Sequence, residues 1–331
     1  IFGFNKNVIA LVDMLVDNNF DVLCLIPPIE KKSSVYIKER LFGKKKIKVP
    51  IFNTENINEI DFVKKIKALN CDLIVNWEHT QIFSRKLLFC PKIGVLNLHR
   101  GLLPNARGFD PILGERLNDI EELGQTVHFM TDKIDKGKIV SQRSFKIDKK
   151  FYRVEIDRIF QNGVVEFYFD AISKAIDGYS IDYEDCFGRY YPKPAINKEI
   201  LDWQQNSNFI LARIRTANPF NPCVTFLSES YEEVKILKST ESDIEDYYST
   251  CGQIVDRDKS LGNLVKTRNN AIWLTEIKIN EKVQTPSFPI GTTFVSNWIH
   301  ETMLLHKRIK DLEERIEDIK EWLESQGFGD Q

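Results

Sequence analysis

In the stretch Asn97-Leu98-His99-Arg100-Gly101-Leu102-Leu103-Pro104, an amide and an imidazole stand two residues apart where the apolar run "IGVLN" ends. Residues i and i+2 of a strand project to the same side, so Asn97 and His99 point together. The glycine and proline that follow turn the chain away. That pairs a hydrogen-bond donor with a titratable base at a sheet edge, where open α/β sheets place ligands. Downstream, Ile134-Asp135-Lys136-Gly137 sets a carboxylate in a tight turn that closes on glycine. An Asn, a His and an Asp converging at one edge suit acyl transfer to an amine, because the nucleophile then belongs to the substrate. His99 would manage the amine's proton. Asn97 would donate to the oxyanion of the tetrahedral intermediate. Asp135, as a nearby negative charge, would favour the imidazolium.

Alternating elements must position these groups. "IFGF", "FDVLCLIPP", "IKVPIF", "CDLIVNW" and "IGVLNLH" read as strands. The intervening "NKNVIALVDMLVDNN", "SSVYIKERLF", "IDFVKKIKALN" and "SRKLLF" read as helices. This alternation is the pattern of a parallel sheet covered on both faces. "QTVHFM" and "KIVSQRSFKI" add strands, and "FYRVEIDRIFQNGVVEFYFDAISKAI" reads as one long amphipathic helix. His128, in mid-strand between apolar neighbours, reads as a structural histidine. A polar, proline-containing stretch near 179–194 reads as a linker. The short strand-like runs "CVTFL", "EEVKILKS", "GQIVD", "NLVKTR" and "AIWLTEIKI" then suggest a small barrel or sandwich. At the end, Leu305, Ile309, Leu312, Ile316, Ile319 and Leu323 recur at intervals of three and four among charged residues. That spacing predicts a coiled-coil helix and, with it, a homodimer.

N-x-H followed by LLP, then Arg107, Gly108 and Pro111 as RG-x-x-P, then a strand before D-x-G, resembles the tetrahydrofolate-dependent formyltransferases. The resemblance extends through "EILDWQQNSNFILARIRTANPFNP" and "AIWLTEIKI … FPIGTTF". It implies an α/β protein with a Rossmann-like N-terminal formyltransferase domain (1–178), a linker (179–194), a smaller β-rich, OB-like domain (195–295) and a C-terminal helix (296–331). It implies N10-formyltetrahydrofolate as formyl donor and Asn97, His99 and Asp135 as the catalytic set. The folate would lie against Gln81, Ile82 and Phe83 and against Thr131, Asp132, Lys133 and Ile134. Arg107 and Gly101 are candidate substrate contacts. Gly101 replaces the family's usual serine, and Arg100 and Asp110 are also departures from its pattern.

Two amine classes fit that chemistry: a nucleotide-linked aminosugar, dTDP- or UDP-activated, and the aminoacyl end of initiator tRNA. The chain carries a net charge of −2, and acidic residues outnumber basic ones after Tyr190. That is the wrong sign for a phosphate-binding face, so the aminosugar is preferred over nucleic acid. "CFGRYYPKPAINKEILDW" also looks closer to the aminosugar enzymes. The basic segment "KERLFGKKKIK" reads as a solvated helix end. A folate-binding module without catalysis is the non-enzymatic alternative. With 42% hydrophobic and 28% charged residues, the composition is that of a globular protein. Six scattered cysteines without C-x-x-C spacing suit reduced thiols, and with the histidines they make no zinc pattern. No apolar run approaches a membrane span. The expectation is a cytoplasmic protein that binds no membrane. The chain opens on "IFGFNKN", with no signal-peptide pattern, as though a few residues preceded its first strand.

Overall fold

The computed structural model describes residues 1–28, 49–183, 188–192, 199–244, 248–295 and 297–325. The expected helix "SSVYIKERLF" and the segment "KERLFGKKKIK" lie outside the described residues. Two compact units result: 1–149 with 155–193, and 150–154 with 194–331.

The first unit is built on a sheet of β1 (Leu73–Asn76), β2 (Gly94–His99), β4 (Glu122–Phe129) and β5 (Ile139–Lys146), in that order. β1 and β2 run parallel, while β4 and β5 are antiparallel additions. Single parallel bridges extend the sheet beyond β1: Phe2 meets Asn76 and Ile26, and Leu25 meets Ile51. The expected first three strands are therefore present as bridges. Helix α1 (Lys6–Asp17) starts at Asn5, whose Oδ1 accepts from the N–H groups of Asn7 and Val8 at 2.9 and 3.0 Å. Its Val8, Leu11, Val12 and Leu15, at helical spacing, are all buried against the sheet. Helices α2 (Ile60–Ala68) and α3 (Arg85–Leu88) place Phe62, Val63, Ile66, Leu87 and Leu88 in a second core cluster.

The segment 151–176, expected as one helix, is two. α5 (Arg153–Gln161) and α6 (Val164–Ile176) are separated at Gly163, whose φ of 60° is left-handed and cannot continue a helix. A continuous apolar pattern concealed that break. Between β2 and β4 lie β3 (Ala106–Gly108) and α4 (Pro111–Leu117); β3 pairs in parallel with β6 (Arg189–Tyr191).

The second unit contains α7 (Ser207–Ala217) and a sheet ordered β13 (Phe294–Val295), β7 (Cys223–Leu227), β8 (Glu233–Glu241), β11 (Ala271–Ile279), β10 (Gly262–Lys266), β9 (Ile254–Asp258). β12 (Lys282–Gln284) pairs with β11. A bridge between Gln253 and Thr293 joins the two edges, so the expected β-rich domain is present, as a half-barrel. Trp203 explains the "LDW" motif: its ring stacks on Phe294 inside the barrel and its Nε1–H donates to Thr225 Oγ1 at 2.9 Å. α8 (Asn297–Ser325) is a single 29-residue helix. Among the described residues no helix is long and apolar enough to cross a membrane.

Candidate active site

β2 presents Asn97 and His99 on one side of the sheet, and its register with its neighbours builds a row of polar groups around them. Asn76, the last residue of β1, lies opposite Asn97. On the other side Asn97 faces His128 of β4, and His99 faces Thr126. Facing residues of adjacent strands bring their side chains into contact. Asn76 Nδ2 accordingly donates to Asn97 Oδ1 at 2.7 Å, and Asn97 Nδ2 lies 3.2 Å from His128 Nε2. Beneath this row the buried Tyr168 of α6 donates its hydroxyl to the carbonyls of Asn76 and Leu96, at 2.8 and 3.2 Å, and so holds the two strands.

His128 Nδ1 is 2.9 Å from the carbonyl of Phe129. A carbonyl only accepts, so Nδ1 carries the proton and Nε2 is left as a lone pair for Asn97. Burial, with His99 beside it, pushes this imidazole down to about 4. It is neutral at physiological pH. His99 is arranged the other way round. Its Nε2 is 2.6 Å from the Ala106 carbonyl and its Nδ1 faces Asp135 Oδ1 at 3.7 Å. The free position of His99 is therefore Nδ1, beside a carboxylate. Asp135 Oδ1 is also 3.6 Å from His128 Nε2, while its Oδ2 accepts the Gly108 N–H at 2.9 Å. His99 and Asp135 thus face each other, and Asn97 adjoins Asp135 through His128.

The D-x-G turn has a steric reason. A Cβ on Gly137 would stand 1.7 Å from the carbonyl oxygen of Phe129, so only glycine lets the turn fold back onto β4. Asp135 itself is held at φ 51°, and its carbonyl accepts from Tyr183 at 3.0 Å. The loop after His99 is tied down by Thr126, whose Oγ1 donates to Gly101 O at 2.7 Å and accepts from Leu103 N at 3.1 Å. Gln142 adds a bond to Leu103 O at 2.8 Å.

The departures from the family pattern have local explanations. A Cβ on Gly101 would come within 2.5 Å of Ala106 O, the carbonyl that holds His99. Arg100 pairs with Asp157 of α5 and lies over the Phe160 ring. Asp110 caps α4 by accepting from Leu113 N at 3.3 Å, with Pro111 in the first turn.

The remaining predicted residues are not drawn into the central cluster. Gln81 spends its side chain on backbone groups, accepting from Ile57 N at 3.0 Å and donating to Glu55 O at 2.8 Å. Phe83 is buried in the core, 4.7 Å from the Phe2 ring, whereas Ile82 is exposed. Thr131 Oγ1 bonds both Lys133 N and Lys133 O, shaping an exposed loop that includes Asp132 and half-exposed Ile134. Arg107 is buried and donates to Gly188 O at 2.8 Å, joining β3 to β6. Sequence reasoning did not single out Asn76 and read His128 as structural; the structure sets both beside Asn97. The spacing of Thr126 and His128 carried the same i, i+2 signal as Asn97 and His99, and only strand register shows which residues face one another.

The family model for formyl transferase matches residues 1–172, and that for the formyl transferase C-terminal domain matches 195–288. The chain belongs to the formyl transferase family. Among curated relatives it is 29% identical over 261 residues to the bifunctional polymyxin resistance protein ArnA of Wigglesworthia glossinidia brevipalpis, with 77% of this chain aligned. The chain spans 39% of that relative's length. It is 25% identical to the methionyl-tRNA formyltransferase of Clostridioides difficile, covering 83% of this chain and 89% of that one. Among solved structures, the N-formyltransferase from Helicobacter canadensis, in complex with folinic acid and dTDP-3-aminofucose, has a TM-score of 0.59 at 17% identity. It covers 82% of this chain and 97% of its own. HypX from Aquifex aeolicus in complex with tetrahydrofolic acid has a TM-score of 0.54 at 15% identity, over 85% of this chain and 44% of that chain. Likeness at these identities shows the formyltransferase fold.

Proposed function

We propose that this formyltransferase moves a formyl group from N10-formyltetrahydrofolate to the primary amine of a nucleotide-linked aminosugar, dTDP- or UDP-activated. The observation that carries the reaction type is His99 Nδ1 facing Asp135 beside an Asn97 amide that keeps one N–H. The donor supplies a formyl group on a nitrogen that departs as tetrahydrofolate. As the amine attacks the formyl carbon, charge develops on the formyl oxygen, and the remaining Asn97 N–H stabilises it. His99 Nδ1 receives the amine's proton, since Nε2 is committed to Ala106. Asp135 stabilises the resulting imidazolium. The proton then passes to the departing folate nitrogen as its bond to the formyl carbon breaks.

For the folate, exposed Ile82 and half-exposed Ile134 offer apolar surface to a flat ring, while Gln81, Phe83 and Thr131 to Lys133 contribute backbone groups. Arg107 and Gly101 border the acceptor's path through the loops they shape. The acceptor reading is supported by the acidic balance after Tyr190 and by a solved neighbour that holds a dTDP-aminosugar. A second reading, formylation of methionyl-tRNA, is favoured by the curated relatives of that name. We further take 1–178 as catalytic domain, 179–194 as linker, 195–295 as the β-rich domain and 296–331 as an appended helix.

That helix points to a homodimer. Leu305, Ile309, Leu312, Ile316 and Ile319 form one stripe, each at least half exposed. Ile309 and Ile316 fall at one core position and Leu305 and Leu312 at the other, the arrangement that favours a parallel two-stranded coil, while Ile319 breaks it in the next turn. Such a coil sets Arg308 beside the partner's Glu313. It also sets Arg315 beside the partner's Lys320, a like-charge contact that limits its strength. The acceptor class is tested by presenting the donor with dTDP- and UDP-aminosugars and with methionyl-tRNA. Mass gain by one CO on a sugar nucleotide is expected; formylation of the tRNA alone would overturn the aminosugar reading.

A further inference from the structure

We propose that Asn76 and His128 are positioning residues that clamp the Asn97 carboxamide in the one orientation able to donate to the formyl oxygen. This inference rests on the formyltransferase reading of Asn97.

The clamp follows from register. An asparagine amide has two nearly isosteric ends, and only the nitrogen end can stabilise an oxyanion. Nothing in Asn97 itself selects that end. Asn76, directly opposite on β1, presents a donor and so fixes Asn97 Oδ1 at 2.7 Å. His128, directly opposite on β4, presents an acceptor and so fixes Asn97 Nδ2 at 3.2 Å. Each partner is itself held. The Asn76 carbonyl is bonded by Tyr168, and the His128 tautomer is set by the Phe129 carbonyl. With one amide proton spent on His128, one remains for the substrate. A flipped Asn97 would set donor against donor at Asn76 and oxygen against lone pair at His128, both buried. The groups facing His128 are Asn97, His99 and Asp135, and its neutrality keeps Nε2 an acceptor. Asn76 Oδ1 is buried with no hydrogen-bond partner, so its orientation serves the donor it turns toward Asn97.

Replacing either partner loosens the amide without touching substrate. Asn76→Ala and His128→Leu should each lower kcat about tenfold, with KM for donor and acceptor changed less than twofold; together they should approach the loss expected of Asn97→Ala, roughly a hundredfold or more. Asn76→Asp should be worse than Asn76→Ala, because its carboxylate draws the Asn97 nitrogen end away from the substrate. In an Asn97→Ala background the same changes should have no further effect on kcat. Additive losses there, or kcat within twofold of wild type in the single variants, would overturn the clamp while leaving the formyltransferase reading intact. Asn76→Ser, which keeps a donor, should recover part of the loss and substitutes if the alanine variant fails to fold. A second readout does not depend on activity. The side-chain amide resonances of Asn97, assigned by their absence in Asn97→Ala, should exchange slowly with solvent and speed up in Asn76→Ala and in His128→Leu. Unchanged exchange would equally sink the proposal.

Discussion

Asp135 is the residue where charge and shape separate most cleanly. Asp135→Asn keeps an oxygen for the Gly108 N–H but removes the negative charge 3.7 Å from His99 Nδ1. We expect kcat to fall by one to two orders of magnitude with little change in melting temperature. A fall in stability that matches the loss of activity would assign Asp135 to the scaffold instead. Two other buried groups make stability depend on pH in opposite senses. The His128 imidazole is held at about 4, below its ordinary 6.5, chiefly by burial. Its contribution is complete above the unfolded value and is lost as pH falls toward 4. The Glu115 carboxyl is pushed up from 4.5 to about 8 by burial, which Arg189 only partly offsets. Its contribution is complete below 4.5 and is lost as pH rises through 8. Glu115→Gln should therefore raise the melting temperature above wild type at pH 9, with the difference vanishing near pH 4. A constant offset across that range would show that Glu115 does not titrate there.

At the scale of elements, the loop between β2 and β3 is shaped by backbone approach more than by side chains. Gly101→Ser, which restores the family's usual residue, forces a Cβ against Ala106 O and so disturbs the carbonyl that holds His99. Activity should drop severalfold or more, with a lower melting temperature; wild-type kcat in this variant would show that the loop yields without cost. This is also where the sequence was most and least legible. The N-x-H, RG-x-x-P and D-x-G spacings are fixed by local turns, so they single out Asn97, His99 and Asp135 as candidates without knowledge of the fold. The clamp on Asn97 needs residues from β1 and β4, 21 and 31 positions away, and their facing depends on strand order and register. The interruption at Gly163 was hidden because apolar spacing continues across it. The antiparallel β4 and β5 were seen as strands, but their direction was not.

At the scale of the whole molecule, the candidate site and the helix proposed to pair lie on separate stretches of chain. Every side chain placed in the candidate site lies within residues 1–193, and α8 begins at Asn297. Deleting 298–331 should leave formyl transfer measurable and shift light scattering from dimer toward monomer. A full-length chain that is monomeric at micromolar concentration would contradict the coiled-coil pairing. Whether Asn97 and His99 carry formyl transfer to an aminosugar amine is decided by following N-formylated product from a dTDP-aminosugar and N10-formyltetrahydrofolate, in wild type, Asn97→Ala and His99→Ala side by side. The prediction is turnover in wild type and a loss of roughly two orders of magnitude in kcat in each variant, with the fold retained. Turnover in the folded variants within a fewfold of wild type would contradict it.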